Sequence, residues 1–196
     1  MKILAIESSA KAVSAAVCEE GRLIAYSYQN SGLTHSRTLL PLIKDMLKNS
    51  ELELSDIGLI AVARGPGSFT GIRIGVAAAK GLSWASDIPA VGVSTLEAMA
   101  FQLAFTDGII CSVMDARRSE VYNALFEMRG GEPVRLCEDR AIPLSELYEE
   151  MKMSKNKYYL VGDGAELCYN YLLNKDVSAF IAPEHLKYQS AYGVAL

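Results

Sequence analysis

Lys2-Ile3-Leu4-Ala5-Ile6-Glu7-Ser8-Ser9 opens the chain as a short apolar run that ends in an acidic turn, and Ile109-Ile110-Cys111-Ser112-Val113-Met114-Asp115-Ala116 repeats that plan in its middle. Both runs are short enough and rich enough in branched residues to read as buried strands. Laid over one another at a constant offset of 108, Glu7 falls on Asp115, Val13 on Val121, Ala16 on Ala124 and Val17 on Leu125. The identities are few. A duplication therefore rests on the order of elements around the two runs.

After the first run, residues 12–18 and 22–28 alternate as two further strands joined at Glu19-Glu20-Gly21, completing a three-strand meander. A helix follows over 36–48, with Thr34 or Ser36 as cap, Pro41 bending it, and Leu39, Leu40, Leu42, Ile43, Met46 and Leu47 on its apolar side. A strand at 57–63, the tight loop Gly65–Gly71, a helix at 71–85, a strand at 88–93 and a helix at 95–104 complete the first half. The second half gives strands at 109–115, 120–127 and 133–137 and a helix at 144–151. Then come a strand at 158–161, the turn Gly162-Asp163-Gly164 and a helix at 165–173. Strands alternating with helices predict an α/β layered fold of two related halves, 1–105 and 106–196, with no Pro-, Ser- or charge-rich linker between them.

The chain's 196 residues, 51% apolar, suffice for a sizeable core. Nineteen basic against 23 acidic residues leave a net charge of −4, so no basic stripe is present to neutralise a run of phosphates. RNA, if involved, would be gripped by a partner. Cys18, Cys111, Cys137 and Cys168 form no Cys-x-x-Cys pair, which argues against a zinc or redox motif and suits reduced thiols in a cytoplasmic protein. Met1-Lys2 leads directly into a strand. No signal peptide and no bilayer-spanning run are expected.

Two halves that each open with a strand and an acidic turn resemble the actin, Hsp70 and sugar-kinase superfamily, whose active members bind phosphates between those turns. Further motifs narrow the resemblance: Ile6-Glu7-Ser8-Ser9, Thr34-His35-Ser36, the run from Arg64 through Gly65-Pro66-Gly67-Ser68-Phe69-Thr70-Gly71 to Gly75, Val93-Ser94-Thr95-Leu96-Glu97-Ala98 and Asp115-Ala116-Arg117-Arg118. In order and over nearly the whole chain, these are similar to the TsaB (YeaZ) family. That resemblance implies a subunit without its own active site. Its partners would be a TsaD-like enzyme that transfers threonylcarbamoyl to tRNA adenosine and a TsaE-like ATPase. tRNA would be met only through the complex, and two copies could pair when the partner is absent. Family members continue past the point where this sequence stops at Leu196, which leaves the last element open.

The residues bear on that implication independently. TsaD-like relatives carry His-x-Glu-x-His at the helix start, where i and i+4 histidines share a face for a metal. Here the positions are Thr95 and Met99, poor ligands for zinc or iron, and His35 and His185 are the only histidines. Ser94-Thr95-Leu96-Glu97 reads as a capping box. No metal is expected. Glu7-Ser8-Ser9 and Asp115-Ala116-Arg117 lack the glycines of an amide cradle, and Gly65–Gly75 lacks a Gly-Lys-Ser/Thr step, so only weak nucleotide contact and no cofactor are expected. Gly65-Pro66-Gly67 could offer amides to an anion or simply set the following helix, and Gly162-Asp163-Gly164 could lie near a nucleotide or be a plain turn. A lone His35 near a helix start reads as a hydrogen-bonding residue rather than a catalyst. The alternative function class is an enzyme of the same fold, an ATP-dependent kinase or a metallopeptidase.

The helix at 71–85 places Gly71, Gly75, Ala78 and Leu82 on one face for close packing, and Arg73, Ala77, Lys80 and Trp84 on the other. Helix 36–48 carries Leu39, Leu42 and Met46 along one edge. The two helices could simply cover each other. The favoured reading is a joint platform for a partner protein, built from Leu39, Leu42, Met46, Arg73, Ala77, Lys80 and Trp84.

Overall fold

A computed structural model describes residues 1–196. The first half contains β1 (Lys2–Glu7), β2 (Val13–Glu19), β3 (Arg22–Gln29), α1 (His35–Asn49), β4 (Ile57–Ala63), α2 (Phe69–Ser86), β5 (Ala90–Val93) and α3 (Thr95–Phe101). The second contains β6 (Ile109–Arg117), β7 (Glu120–Arg129), β8 (Glu132–Arg135), β9 (Arg140–Pro143), α4 (Leu144–Ser154), β10 (Lys157–Val161), α5 (Ala165–Leu172), β11 (Ser178–Ile181), α6 (Glu184–Lys187) and α7 (Ala191–Ala195). Strands β9 and β11 and helices α6 and α7, each four or five residues long, go beyond the elements read from the sequence.

The two sheets are copies of one topology. The first runs β3-β2-β1-β4-β5 and the second β8-β7-β6-β10-β11. Each central strand pairs antiparallel to the strand after it and parallel to a later one, β1 with β4 and β6 with β10. This repeat in strand order is far stronger evidence of duplication than the sparse identities. It also corrects the offset. Leu4 and Ile6 face the cluster under α1 and α2, and Val13 and Val17 share that face. Their counterparts under α4 and α5 are Cys111 and Val113 on β6 and Val121 and Leu125 on β7. The offset is thus 108 for β2 and β7, but 107 for β1 and β6. Because strand side chains alternate faces, a one-residue difference flips every one of them. Glu7 therefore corresponds to Met114, not to Asp115.

Alternation also explains the layers of the first sheet. Its other face is nearly all small: Ala5, Ala16, Cys18, Ala61 and Ala63. That flat surface lets α7 lie close, with Ala191, Val194 and Ala195 packed on it. Gly193 passes so near the backbone that an added Cβ would stand 2.0 Å from the Ala98 carbonyl oxygen. The two compact units are accordingly Met1–Ala98 with Gln189–Leu196, and Met99–Tyr188. The sequence reading assigns the last eight residues to the second half, whereas they fold onto the first unit, whose alanine face accepts a helix at that distance.

Cys18, Cys111 and Cys168 are buried and Cys137 half-buried, all as free thiols. Burial pushes Cys168 up to about 12 and Cys111 well above the ordinary thiol range, leaving both protonated and unreactive at neutral pH.

Candidate functional site

In the first unit the acidic turn is closed by its own chain. Glu7, Ser8 and Ser9 are each 1% exposed. The Ser9 amide donates to Glu7 Oε1 at 2.5 Å, Ser8 Oγ donates to the Gly71 carbonyl at 2.9 Å, and the Ser68 amide donates to the Ser9 carbonyl at 2.7 Å. His35 Nε2 lies 2.6 Å from the Ala10 carbonyl oxygen, so this nitrogen carries a proton and ties α1 to the turn. The first turn of α2 fits here only because it carries glycine: a Cβ on Gly71 would stand 2.1 Å from the Ser8 carbonyl oxygen, and one on Gly75 2.3 Å from Ser8 Oγ. The Ser9 amide, which would have to point at a phosphate, is taken up by the Glu7 carboxylate. The sequence reading of Glu7, Ser8 and Ser9 as remnants of a phosphate turn thus meets a sealed turn.

The second unit's turn differs. Asp115 and Arg117 are exposed, and the Asp115 carboxylate takes the Arg117 amide at 2.7 Å. The later glycine turn has a structural reason: Cβ atoms on Gly162 and Gly164 would stand 2.1 Å from the Val113 carbonyl oxygen and 2.9 Å from the Met114 carbonyl carbon. Along α3, Thr95 and Met99 are both 0% exposed, and the Glu97 amide donates to Ser94 Oγ at 3.3 Å as an N-terminal cap. No group of three or more His, Cys, Asp or Glu side chains is arranged to hold a metal.

The helix platform is partly corrected. Leu39 and Met46 are 1% and 4% exposed, because α1 turns them onto β2 and β3 as part of the first unit's own core, and half-buried Leu42 packs against that core as well. Arg73, Ala77, Lys80 and Trp84 do face solvent. Trp84 is 91% exposed, and Arg73 sets its guanidinium 5.0 Å from the ring centre of Phe69, itself 74% exposed. Between the helices runs an apolar groove of about 440 Å³, with His35, Ser36, Leu39 and Leu40 on one wall and Ile74, Ala77, Ala78, Gly81 and Leu82 on the other. The sequence reading places Leu40, 51% exposed, on the apolar side of α1 but outside the platform, and leaves Gly81 out altogether. A Cβ on Gly81 would meet nothing within 4 Å, so the fold itself has no use for glycine there. A mid-helix glycine without a packing reason was the available signal.

The family model for TsaD, the tRNA N6-adenosine threonylcarbamoyltransferase, matches residues 29–190. The chain is 34% identical over 167 residues to the tRNA threonylcarbamoyladenosine biosynthesis protein TsaB of Bacillus subtilis, covering 85% of this chain and 73% of that one. Two solved structures from Pseudomonas aeruginosa, YeaZ and a protein described as similar to peptidase YeaZ, superpose with TM-scores of 0.81 and 0.82 at 26% identity. Both cover 97% of this chain and 88% of theirs. A polyphosphate/ATP-glucomannokinase from Arthrobacter shares the fold alone, at a TM-score of 0.50 and 10% identity over 99% of this chain and 95% of that one. The duplicated sheets are those of the actin, Hsp70 and sugar-kinase fold, and the chain belongs to the TsaB family of tRNA threonylcarbamoyladenosine biosynthesis proteins.

Proposed function

We propose that the chain is a non-catalytic partner subunit in threonylcarbamoyl transfer to tRNA adenosine, docking a TsaD-like transferase on the groove between α1 and α2. A TsaE-like ATPase joins the pair, and the reacting adenosine is held by the transferase. The observation that carries this reading is the groove itself. It is apolar, it is lined by the exposed Leu40 and by Gly81, whose missing side chain serves no contact inside the fold, and the exposed Trp84 stands three residues after Gly81 on the same helix. Exposed Trp and Arg are the residue types that dominate protein interfaces. The absence of a reaction at this chain is supported by the buried Thr95 and Met99 and by the sealed turn Glu7–Ser9. The peptidase-like description of one structural relative gives the metallopeptidase reading its one foothold, and Thr95 and Met99 speak against it.

Ala77→Glu tests the docking. On the free, exposed helix face a carboxylate stays hydrated, so stability changes by no more than about 0.5 kcal/mol. In a packed interface it must be desolvated at a cost of several kcal/mol, so affinity for the transferase drops at least about a hundredfold. Leu42 is half-buried against the core, so Leu40→Glu is the second probe. Thermal melts beside co-elution separate the outcomes, and unchanged binding in both variants would sink the assignment.

A further inference from the structure

We infer that Arg117 and Arg118, carried on the β6–β7 hairpin of the second unit, form a contact for the phosphodiester backbone of RNA. The starting observation is conformational. Arg117, Arg118 and Ser119 have φ of 68°, 54° and 62°, three successive non-glycine residues in the left-handed region. L-residues with a Cβ avoid this region because the side chain crowds the following carbonyl. The hairpin geometry demands it here. Arg117 pairs with Glu120 across a two-residue loop, and a bulge at Ala116 precedes it. A two-residue loop with both central residues at positive φ is a type I′ turn, whose preferred residues are Asn and Gly.

The chain obeys that preference elsewhere. β2 and β3 turn through Glu20 and Gly21 at φ of 51° and 75°, and β7 and β8 through Gly130 and Gly131 at 63° and 89°. Only the β6–β7 turn is built without glycine or asparagine. Its side chains do not repay the strain inside the fold. Arg129, Arg135 and Arg140 of the same unit each pair with a carboxylate, while Arg117 and Arg118 are exposed, make no ion pair and lie on no ring. The Asp115 carboxylate takes the Arg117 amide, holding the turn in shape. Strain retained at exposed residues is a mark of function. A guanidinium matches phosphate oxygens with paired donors. In a chain of net charge −4 whose family acts in tRNA modification, RNA is the polyanion that such a finger fits. The inference extends the proposed subunit role by giving the chain itself a hold on RNA.

The test is Arg117→Gly/Arg118→Asn, which puts asparagine at the first central residue of the turn and glycine at the positive-φ residue between the bulge and the turn. Binding of a tRNA transcript is followed by fluorescence anisotropy across a salt series, for the chain alone and for its co-eluting complex with the transferase. The variant should melt about 2–4 °C higher. It should bind tRNA about five- to twentyfold more weakly, with the slope of log K on log salt reduced by about 2. Unchanged tRNA affinity and slope in both forms overturns the inference. So does a lower melting temperature, which would place the arginines in the fold's own packing. Loss of co-elution with tRNA binding intact overturns it in favour of an acidic protein partner. Failure of the wild-type chain to co-elute counts against the subunit role alone, because the arm with the isolated chain still reads the arginines.

Discussion

Among single residues, the glycines of α2 divide by what surrounds them. Gly71 touches the Ser8 carbonyl, so Gly71→Ala forces backbone apart and should cost about 3 kcal/mol in chemical denaturation. Gly81→Ala meets open space in the middle of an 18-residue helix, so it should stabilise the free protein by about 0.5–1 kcal/mol. The same variant should weaken co-elution with the transferase if a partner helix lies against Gly81. Stabilisation without any loss of binding would show that the groove's floor is not part of the interface. His35 belongs at this scale too. Its ring reads in the sequence as a hydrogen-bonding residue, and it holds the Ala10 carbonyl.

Short elements are held by ties that local sequence does not advertise. Lys187, its side chain 6% exposed, joins α6 to α5 by ion pairs to Glu184 at 2.6 Å and Glu166 at 2.7 Å, and its carbonyl takes the Gly162 amide at 2.6 Å. The lysine holds the Glu166 carboxyl below its ordinary range, and Glu166, then Glu184, hold the lysine above its own. A depressed carboxyl contributes stability that is present above its unfolded value, about 4.3, and is lost as pH falls through the folded one. A raised lysine contributes below its unfolded value, about 10.4, and that contribution is lost as pH rises through the folded one. The stability difference between wild type and Lys187→Met should therefore be flat from about pH 5 to 9 and shrink outside that window at both ends. Denaturant midpoints at pH 3, 7 and 11 check this, and a difference that ignores pH would mean the lysine acts only through packing.

For the whole molecule, the decisive feature is the return of residues 189–196 to the first unit. The Ala191 amide donates to Ser14 Oγ at 2.9 Å, and Tyr26 donates to Ser190 Oγ at 3.2 Å, so the segment is anchored by hydrogen bonds as well as by the alanine face. A chain ending at Tyr188 would expose Ala5, Ala16, Ala61 and Ala63 and leave Ser14 without its donor. Its melting temperature should fall by at least about 5 °C, with new binding of an apolar dye. An unchanged melt would mean that α7 merely rests on the sheet.

Most of the regular elements were legible in the sequence because strand alternation and helical spacing are local properties that a chain carries without its neighbours. The N-terminal cap at Ser94, the replacement of a histidine pair by Thr95 and Met99, and the family motifs from Ile6 to Arg118 were legible for the same reason. β9, β11, α6 and α7 were not, since four or five residues hold too little periodicity to outweigh turn chemistry. The exposed face of α1 was also misjudged. An apolar stripe wider than one contact does not say which edge its neighbours cover, and β2 and β3 cover the edge with Leu39 and Met46, leaving Leu40 outside. Register was the other blind spot, because pairing Glu7 with Asp115 matched charge and ignored which face each side chain takes. By itself the sequence determined the α/β duplication and the family; only the tertiary structure decided the sheet registers, the closed turn at Glu7, the place of the C-terminal helix and the surviving exposed surface. Those depend on contacts between residues far apart in the chain, where burial on one face excludes burial on the other.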